Sequence, residues 1–176
     1  YRALKYMNGF AGICIHFPMD FNLAVEGQIH EGRISALLGL PGIPDVAEDL
    51  MIQRDLSLLD YADGKLLLWG LSSKVGIDRL QKSEKLNKSL FAAVPIFNLV
   101  FSEDDLESFD VNFKLMPPLR TENDKMALKS AVLDGTIQLI SSNHLPWESE
   151  HKKLEFPYAS FGSISLQHVF QMLRTH

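Results

Sequence analysis

His16 closes a short apolar run, Gly12-Ile13-Cys14-Ile15-His16, which reads as a buried strand with a polar residue at its end. An imidazole there can ligate a metal or move a proton near neutral pH. One imidazole does not hold zinc, because a catalytic site takes about three protein ligands. Asn143 and His144 stand together in a polar loop that follows another apolar run. The Asn143 amide neither shuttles a proton near neutral pH nor ligates zinc well. Lys114 and Arg120 bracket Met116, Pro117 and Pro118, and their charges suit an anion. The plainer expectation for both is solvation or bridging to loop carbonyls, since the proline pair already accounts for a rigid loop.

Elements that would position these groups alternate strand with helix. Tyr1–Asn8 reads as a helix end, Gly12–His16 as the first strand, and Phe17–Gly42 as a long glycine-dotted loop. Pro44 suits the first turn of a helix, with Asp45, Glu48 and Asp49 favourable near its positive end. Ala47, Leu50, Met51, Leu58, Tyr61 and Ala62 recur at helical spacing, and Gly64 can terminate that helix. Lys65–Leu71 is the next strand; Leu66-Leu67-Leu68-Trp69 is apolar without alternation, as in a strand covered on both faces. Ser72 or Ser73 can cap a helix to about Lys85. Ser89–Val94 is a third strand, Glu103–Ser108 a short helix, Asn112–Arg120 a loop and Asn123–Leu133 a helix ended by Asp134-Gly135. Thr136–Ser141 is a fourth strand, a polar loop runs to Gly162, and Ser163–Leu173 closes the chain as an amphipathic helix. Such alternation argues for a parallel sheet with right-handed crossovers. Periodicity alone fits half of an eight-unit barrel or a small doubly wound sheet.

Composition narrows the function class. At 176 residues and 46% hydrophobic, one domain can bury a sizeable core. The net charge of −5, without a basic stripe, argues against nucleic acid. No apolar run approaches the ~20 residues of a membrane span. Cys14 is the single cysteine, so no internal disulfide forms and a reducing cytoplasm is the expected location. Tyr1 opens the chain inside a helical pattern, which reads as a piece of a longer protein; a chain trimmed at a true domain boundary is the alternative.

Four stretches, in order, resemble dihydroorotases of the longer, multifunctional-complex type. Ile15-His16-Phe17-Pro18-Met19-Asp20 resembles the family's His-x-Glu-Asp strand end. Glu31-Gly32-Arg33-Ile34-Ser35, then Gly39-Leu40-Pro41-Gly42-Ile43-Pro44 and Glu48, resemble its Glu-Gly…Gly-Leu-x-Gly-Ile-Pro…Glu stretch. Asn112-Phe113-Lys114-Leu115-Met116-Pro117-Pro118-Leu119-Arg120 is similar to Asn-Phe-Lys-x-Asn-Pro-Pro-Leu-Arg. Asp134-Gly135-Thr136-Ile137 through Ser142-Asn143-His144-Leu145-Pro146-Trp147 resembles Asp-Gly-Thr-Ile…Thr-Asp-His-Ala-Pro-His, and Ala159-Ser160-Phe161-Gly162 also fits. The likeness spans nearly the whole chain. It implies the C-terminal half of a TIM-like (β/α)8 amidohydrolase barrel, with residues 1–176 as a single partial domain holding units five to eight.

Family members hydrolyse a cyclic amide reversibly with one or two zinc ions, and an Asp on the last strand shuttles the proton. By the resemblance, His16 stands at a metal-ligand position and Gly70, in Gly70-Leu71-Ser72-Ser73, at a second one that has lost its imidazole. Pro95-Ile96-Phe97-Asn98 replaces Thr-Pro-His-His, Met116 the substrate-binding Asn, Asn143 the catalytic Asp and Trp147 the last His. His144 reads as a remnant, and Arg120 as a weak substrate contact. Losses at separate strand ends point one way, while the glycines, prolines and apolar runs that build the barrel persist. The expectation is a non-catalytic dihydroorotase homologue of pyrimidine biosynthesis that holds no zinc. Its implied partner is aspartate carbamoyltransferase, and a homo-oligomer or the remainder of a longer chain is expected to cover the open sheet edges. The alternative is an active zinc-dependent amidohydrolase using His16, His144 and groups from elsewhere; a third reading is a small-molecule binding module.

Overall fold

The computed structural model describes residues 1–175. Helix α1 (Arg2–Asn8) leads into strand β1 (Ile13–His16). Next come β2 (Ile29–His30), α2 (Arg33–Leu38), β3 (Gly42–Ile43), α3 (Val46–Ala62), β4 (Lys65–Trp69), α4 (Lys74–Gln81), β5 (Leu90–Pro95) and α5 (Ile96–Val100). Two 3-10 turns, Glu103–Ser108 and Val111–Phe113, precede α6 (Glu122–Leu133) and β6 (Leu139–Ser141). The chain ends with α7 (Ser149–Lys152), a 3-10 turn at Leu166–His168 and α8 (Val169–Thr175).

The four expected strands form one sheet in the order β1-β4-β5-β6, and every pair is parallel. His16 lies opposite Leu68, Trp69 opposite Ala93 and Pro95 opposite Ser141, so the C-terminal strand ends form one rim. Side chains alternate across a strand. Leu66 and Leu68, with Leu90, Ala92 and Val94, pack on Ile52 and Leu59 of α3, Ile77 and Leu80 of α4, and Leu128 and Ala131 of α6. Cys14 and Ile140 pack on this same helix-side core. The edge strands leave Ile13, Ile15 and Leu139 at 38%, 63% and 46% exposure.

Caps set the helix starts. Ser73 Oγ accepts from Gly76 N at 3.1 Å at the head of α4. Thr121 and Asp124 form a capping box on α6, and Asp124 also accepts from Lys74 N at 2.8 Å, tying two helix starts together.

Several boundaries differ from the sequence reading. The expected loop 17–42 contains α2 and a two-stranded parallel ribbon, β2 with β3. The helix after Ser73 stops at Gln81 rather than near Lys85, because Ser89 N and Leu90 N both turn back onto Lys85 O and Asn87 takes a left-handed φ of 61°. The expected helix Ser163–Leu173 becomes the 3-10 turn and α8, because Ser165 and its neighbours are held to the loop at Ser142 and His144.

Candidate functional site

The C-terminal rim gathers the strand-end residues singled out in the sequence. His16, last in β1, turns to the helix side: its Nδ1 lies 2.5 Å from Asp55 Oδ2 on α3, and Arg54 Nη2 lies 3.3 Å from its Nε2. A guanidinium has no acceptor, so Nε2 accepts from Arg54 and Nδ1–H donates to Asp55. His16 is therefore engaged at both ring nitrogens.

Gly70 follows β4 in a left-handed conformation, φ 83°, where Gly70 N and Leu71 N both donate to Ala93 O at 3.0 Å. A Cβ here would stand 2.6 Å from Phe17 Cε2 and 2.8 Å from Phe17 Cδ2. The Phe17 ring thus fills the space beside Gly70. Phe17 and Met116 both pack on Met19, Ala24, Ile43 and Ala47, and Phe17 stacks on Phe21 with ring centroids 6.1 Å apart. Met116 is part of this apolar plug, and Asn143 Nδ2 donates to its carbonyl at 3.0 Å.

His144 is turned by the backbone. Its Nδ1 accepts from Ser165 N at 3.1 Å and Leu166 N at 3.3 Å, which places the ring proton on Nε2. Trp147 Nε1 donates to Phe161 O at 2.8 Å.

Zinc, which the resemblance implies, does not fit these residues. Among the described residues no group of three or more His, Cys, Asp or Glu converges as a metal site. Gly70 offers no donor, its side is filled by Phe17, and the unprotonated nitrogens of both histidines already accept, His16 Nε2 from Arg54 and His144 Nδ1 from Ser165 N and Leu166 N.

The charged residues of the Pro-Pro loop fasten the rim. Arg120 is buried, against the expectation of a solvated side chain. Its Nε donates to Ser72 Oγ at 2.7 Å, Nη1 to Asp45 Oδ1 and to His30 Nδ1 at 3.2 Å, and Nη2 to Glu48 Oε2 at 3.2 Å. Glu48 is fully buried and also accepts from Ser72 N and Ser73 N at 3.1 Å each, from Ser73 Oγ at 2.8 Å and from Ser72 Oγ. Burial first, then the Arg120 charge, lowers the His30 pKa. Lys114 is buried too, and its Nζ bridges the loop carbonyls of Phe156 at 2.9 Å and Pro157 at 3.0 Å. Desolvation, then the nearby Lys152 charge, brings Lys114 down to about 8. Lys152 donates to the carbonyls of Val111, Ser160 and Gly162 at 2.6, 2.9 and 2.8 Å, so two ammonium groups pin the 148–162 strap.

Sequence reasoning missed Phe17 as the occupant of the rim, Asp55 as the partner of His16, and Ser72, Ser73 and His30 as members of the Glu48–Arg120 network. The available signal was Glu48 itself, a carboxylate in an apolar helix pattern.

No protein-family model matches the chain. It is 33% identical over all 176 residues to the dihydroorotase of Bacillus subtilis, covering 41% of that protein. It is 34% identical over 166 residues to the dihydroorotase of Syntrophus aciditrophicus, covering 94% of this chain and 39% of that one. The chain thus spans about two fifths of the length of the curated relatives it matches. Among solved structures, L-hydantoinase (dihydropyrimidinase) from Arthrobacter aurescens superposes with a TM-score of 0.82 at 18% identity, over 97% of this chain and 39% of that one. Dihydroorotase from Saccharomyces cerevisiae, in complex with 5-fluoroorotic acid, superposes with a TM-score of 0.70 at 16% identity, over 99% and 47%. These superpositions show the fold alone, part of a larger α/β barrel.

Proposed function

We propose, for a chain related along its whole length to the dihydroorotases, a non-catalytic role in pyrimidine biosynthesis as a structural partner of aspartate carbamoyltransferase. The observation that carries it is the plug at the rim, where Phe17 lies against Gly70 and Met116 backs it. Hydrolysis of a cyclic amide in this family's manner needs a polarising metal and a proton carrier. Beside two histidines already engaged by Arg54 and by backbone N–H groups, this rim offers an aromatic ring, a thioether and an amide. The fold itself stays intact because its fasteners, Glu48, Arg120 and Lys114, lie outside that set.

The test is a pull-down of the transcarbamoylase, together with zinc content and dihydroorotate turnover of the purified protein. Capture of the transcarbamoylase with neither zinc nor turnover supports the role. Stoichiometric zinc that is lost on replacing His16, or turnover above background, overturns it.

One observation favours a second reading, an active zinc-dependent amidohydrolase with an altered ligand set. His16 donates Nδ1–H to Asp55, the pairing with which proteins orient metal-bound histidines. The same zinc measurement decides between the two.

A further inference from the structure

We infer that residues 29–43 are a flap over the rim and that the Glu103 carboxyl is its catch, closed while it holds a proton and released when it ionises. The flap is made of β2, α2 and β3, and Glu31 N donates to Ile43 O at 3.0 Å to tie its two ends. Ile29 and Ile34 pack on Leu106 and Phe156. Ile43 packs on Met19, Ala24 and Ala47, the base on which Phe17 and Met116 rest. His30 Nδ1 accepts from Arg120 Nη1. One segment therefore covers both the base of the plug and one side of the Glu48–Arg120 network.

Glu103, first in the turn Glu103–Ser108, meets the flap from inside. Its backbone N donates to Arg120 O at 2.7 Å. Its side chain is 6% exposed, and Oε2 is enclosed by this chain's own atoms without a hydrogen-bond partner. The carboxyl fits there because position 32 has no side chain: a Cβ on Gly32 would stand 2.9 Å from Oε2 and 3.3 Å from His30 Nε2. Asp104 on the same turn, Asp124 on α6 and Asp45 ahead of α3 surround Glu103 with negative charge, and Arg33 of α2 opposes them. Arg33 is itself engaged at the surface by Asp104 and Glu107. Glu31 and Arg120 complete the charged set around His30. An ionised carboxyl here leaves an enclosed oxygen unpaired among like charges, whereas a protonated one does not. Burial first, then the Asp104 charge, accordingly holds Glu103 above the ordinary carboxylate range. A raised folded pKa stabilises the closed flap below the unfolded value, and that contribution is lost as pH rises through the folded one. His30, held low, runs the opposite way and loosens the flap as pH falls. The inference rests on packing within these residues and not on the loss of catalysis, so zinc and turnover assays leave it untouched.

The test compares the full-length protein with Glu103→Gln, which keeps the shape of the side chain and never ionises. Hydrogen-exchange protection factors, corrected for intrinsic exchange, are read at the amides of residues 29–43 from about pH 5 to 9. Relative to Glu103→Gln, protection in the unaltered protein is expected to fall on the order of tenfold as pH rises, while amides of β4 and β5 hold theirs. The comparison with the variant removes the His30 contribution, which both proteins share. Equal pH dependence in the two proteins overturns the inference, and so does a fall shared by β4 and β5. A carbon-13 titration of the Glu103 carboxyl in the unaltered protein decides the matter even if the variant misfolds. A midpoint above the ordinary range that coincides with the loss of protection is expected. A midpoint at the ordinary glutamate value of about 4.3 overturns the inference.

Discussion

Adding one methyl group at Gly70 tests the plug directly. Gly70→Ala meets two costs in this structure. A residue with a Cβ at φ 83° loses about 1 kcal/mol relative to glycine. The new Cβ also lands 2.6 Å from the Phe17 ring, and overpacking of this kind costs about 1–3 kcal/mol. The sum, about 2–4 kcal/mol, is a large share of the 5–15 kcal/mol that holds a domain together. Phe17→Ala removes the second cost and leaves the first. Gly70→Ala should then cost only about 1 kcal/mol, giving a coupling of about 1–3 kcal/mol between the positions. Urea unfolding of the four proteins at one protein concentration reads this, through midpoints compared at a constant denaturant slope. An equal effect of Gly70→Ala in both backgrounds, or an effect below about 0.5 kcal/mol, refutes the packing argument. The same geometry means that Gly70→His restores no imidazole to the rim unless Phe17 is reduced with it.

Two further outcomes follow from the buried charges. Unfolded lysine keeps its proton to about pH 10.5, whereas folded Lys114 releases it near 8, so unfolding takes up a proton between these values and stability rises with pH across that window. The rise has a ceiling of about 3 kcal/mol, and denaturation midpoints from pH 7 to 11 should show it in the natural chain and lose it in Lys114→Met. Glu48→Ala leaves the buried Arg120 guanidinium with only the half-exposed Asp45 as counter-charge, and a loss of about 3–5 kcal/mol is expected in thermal or urea unfolding.

The sheet was legible because its strands are continuous apolar runs: Leu66-Leu67-Leu68-Trp69 reads as a doubly covered strand, and it sits between two neighbours. The β2–β3 ribbon was not, because two-residue strands have no period to detect, and only the fold brings Ile29 beside Gly42. The site was legible as a set of positions but not as an arrangement. The sequence shows that Gly70 lacks a side chain, yet not that Phe17, 53 positions earlier, comes to lie against it. Strand alternation from Cys14 does place His16 on the helix side, but its partner Asp55 depends on how α3 packs. Lys114 bridges loop carbonyls, one of the two readings its sequence allows, but its burial and that of Arg120 were not legible, because burial of a cation is decided by distant partners, here Glu48 and the carbonyls of residues 156 and 157.

The Glu48 carboxylate collects donors from the loop after β4 and from Arg120 in the Pro-Pro loop, so one side chain clasps two loops that the chain itself keeps 48 residues apart. Neither those donors nor Lys114 belongs to the strand-end positions His16, Gly70, Met116 and Asn143. The clasp is thereby separate from the chemistry of the strand ends: it does not depend on which side chains stand at His16, Met116 and Asn143. Selection for a folded surface alone would then preserve Glu48, Ser72, Ser73 and Arg120, with or without selection for turnover.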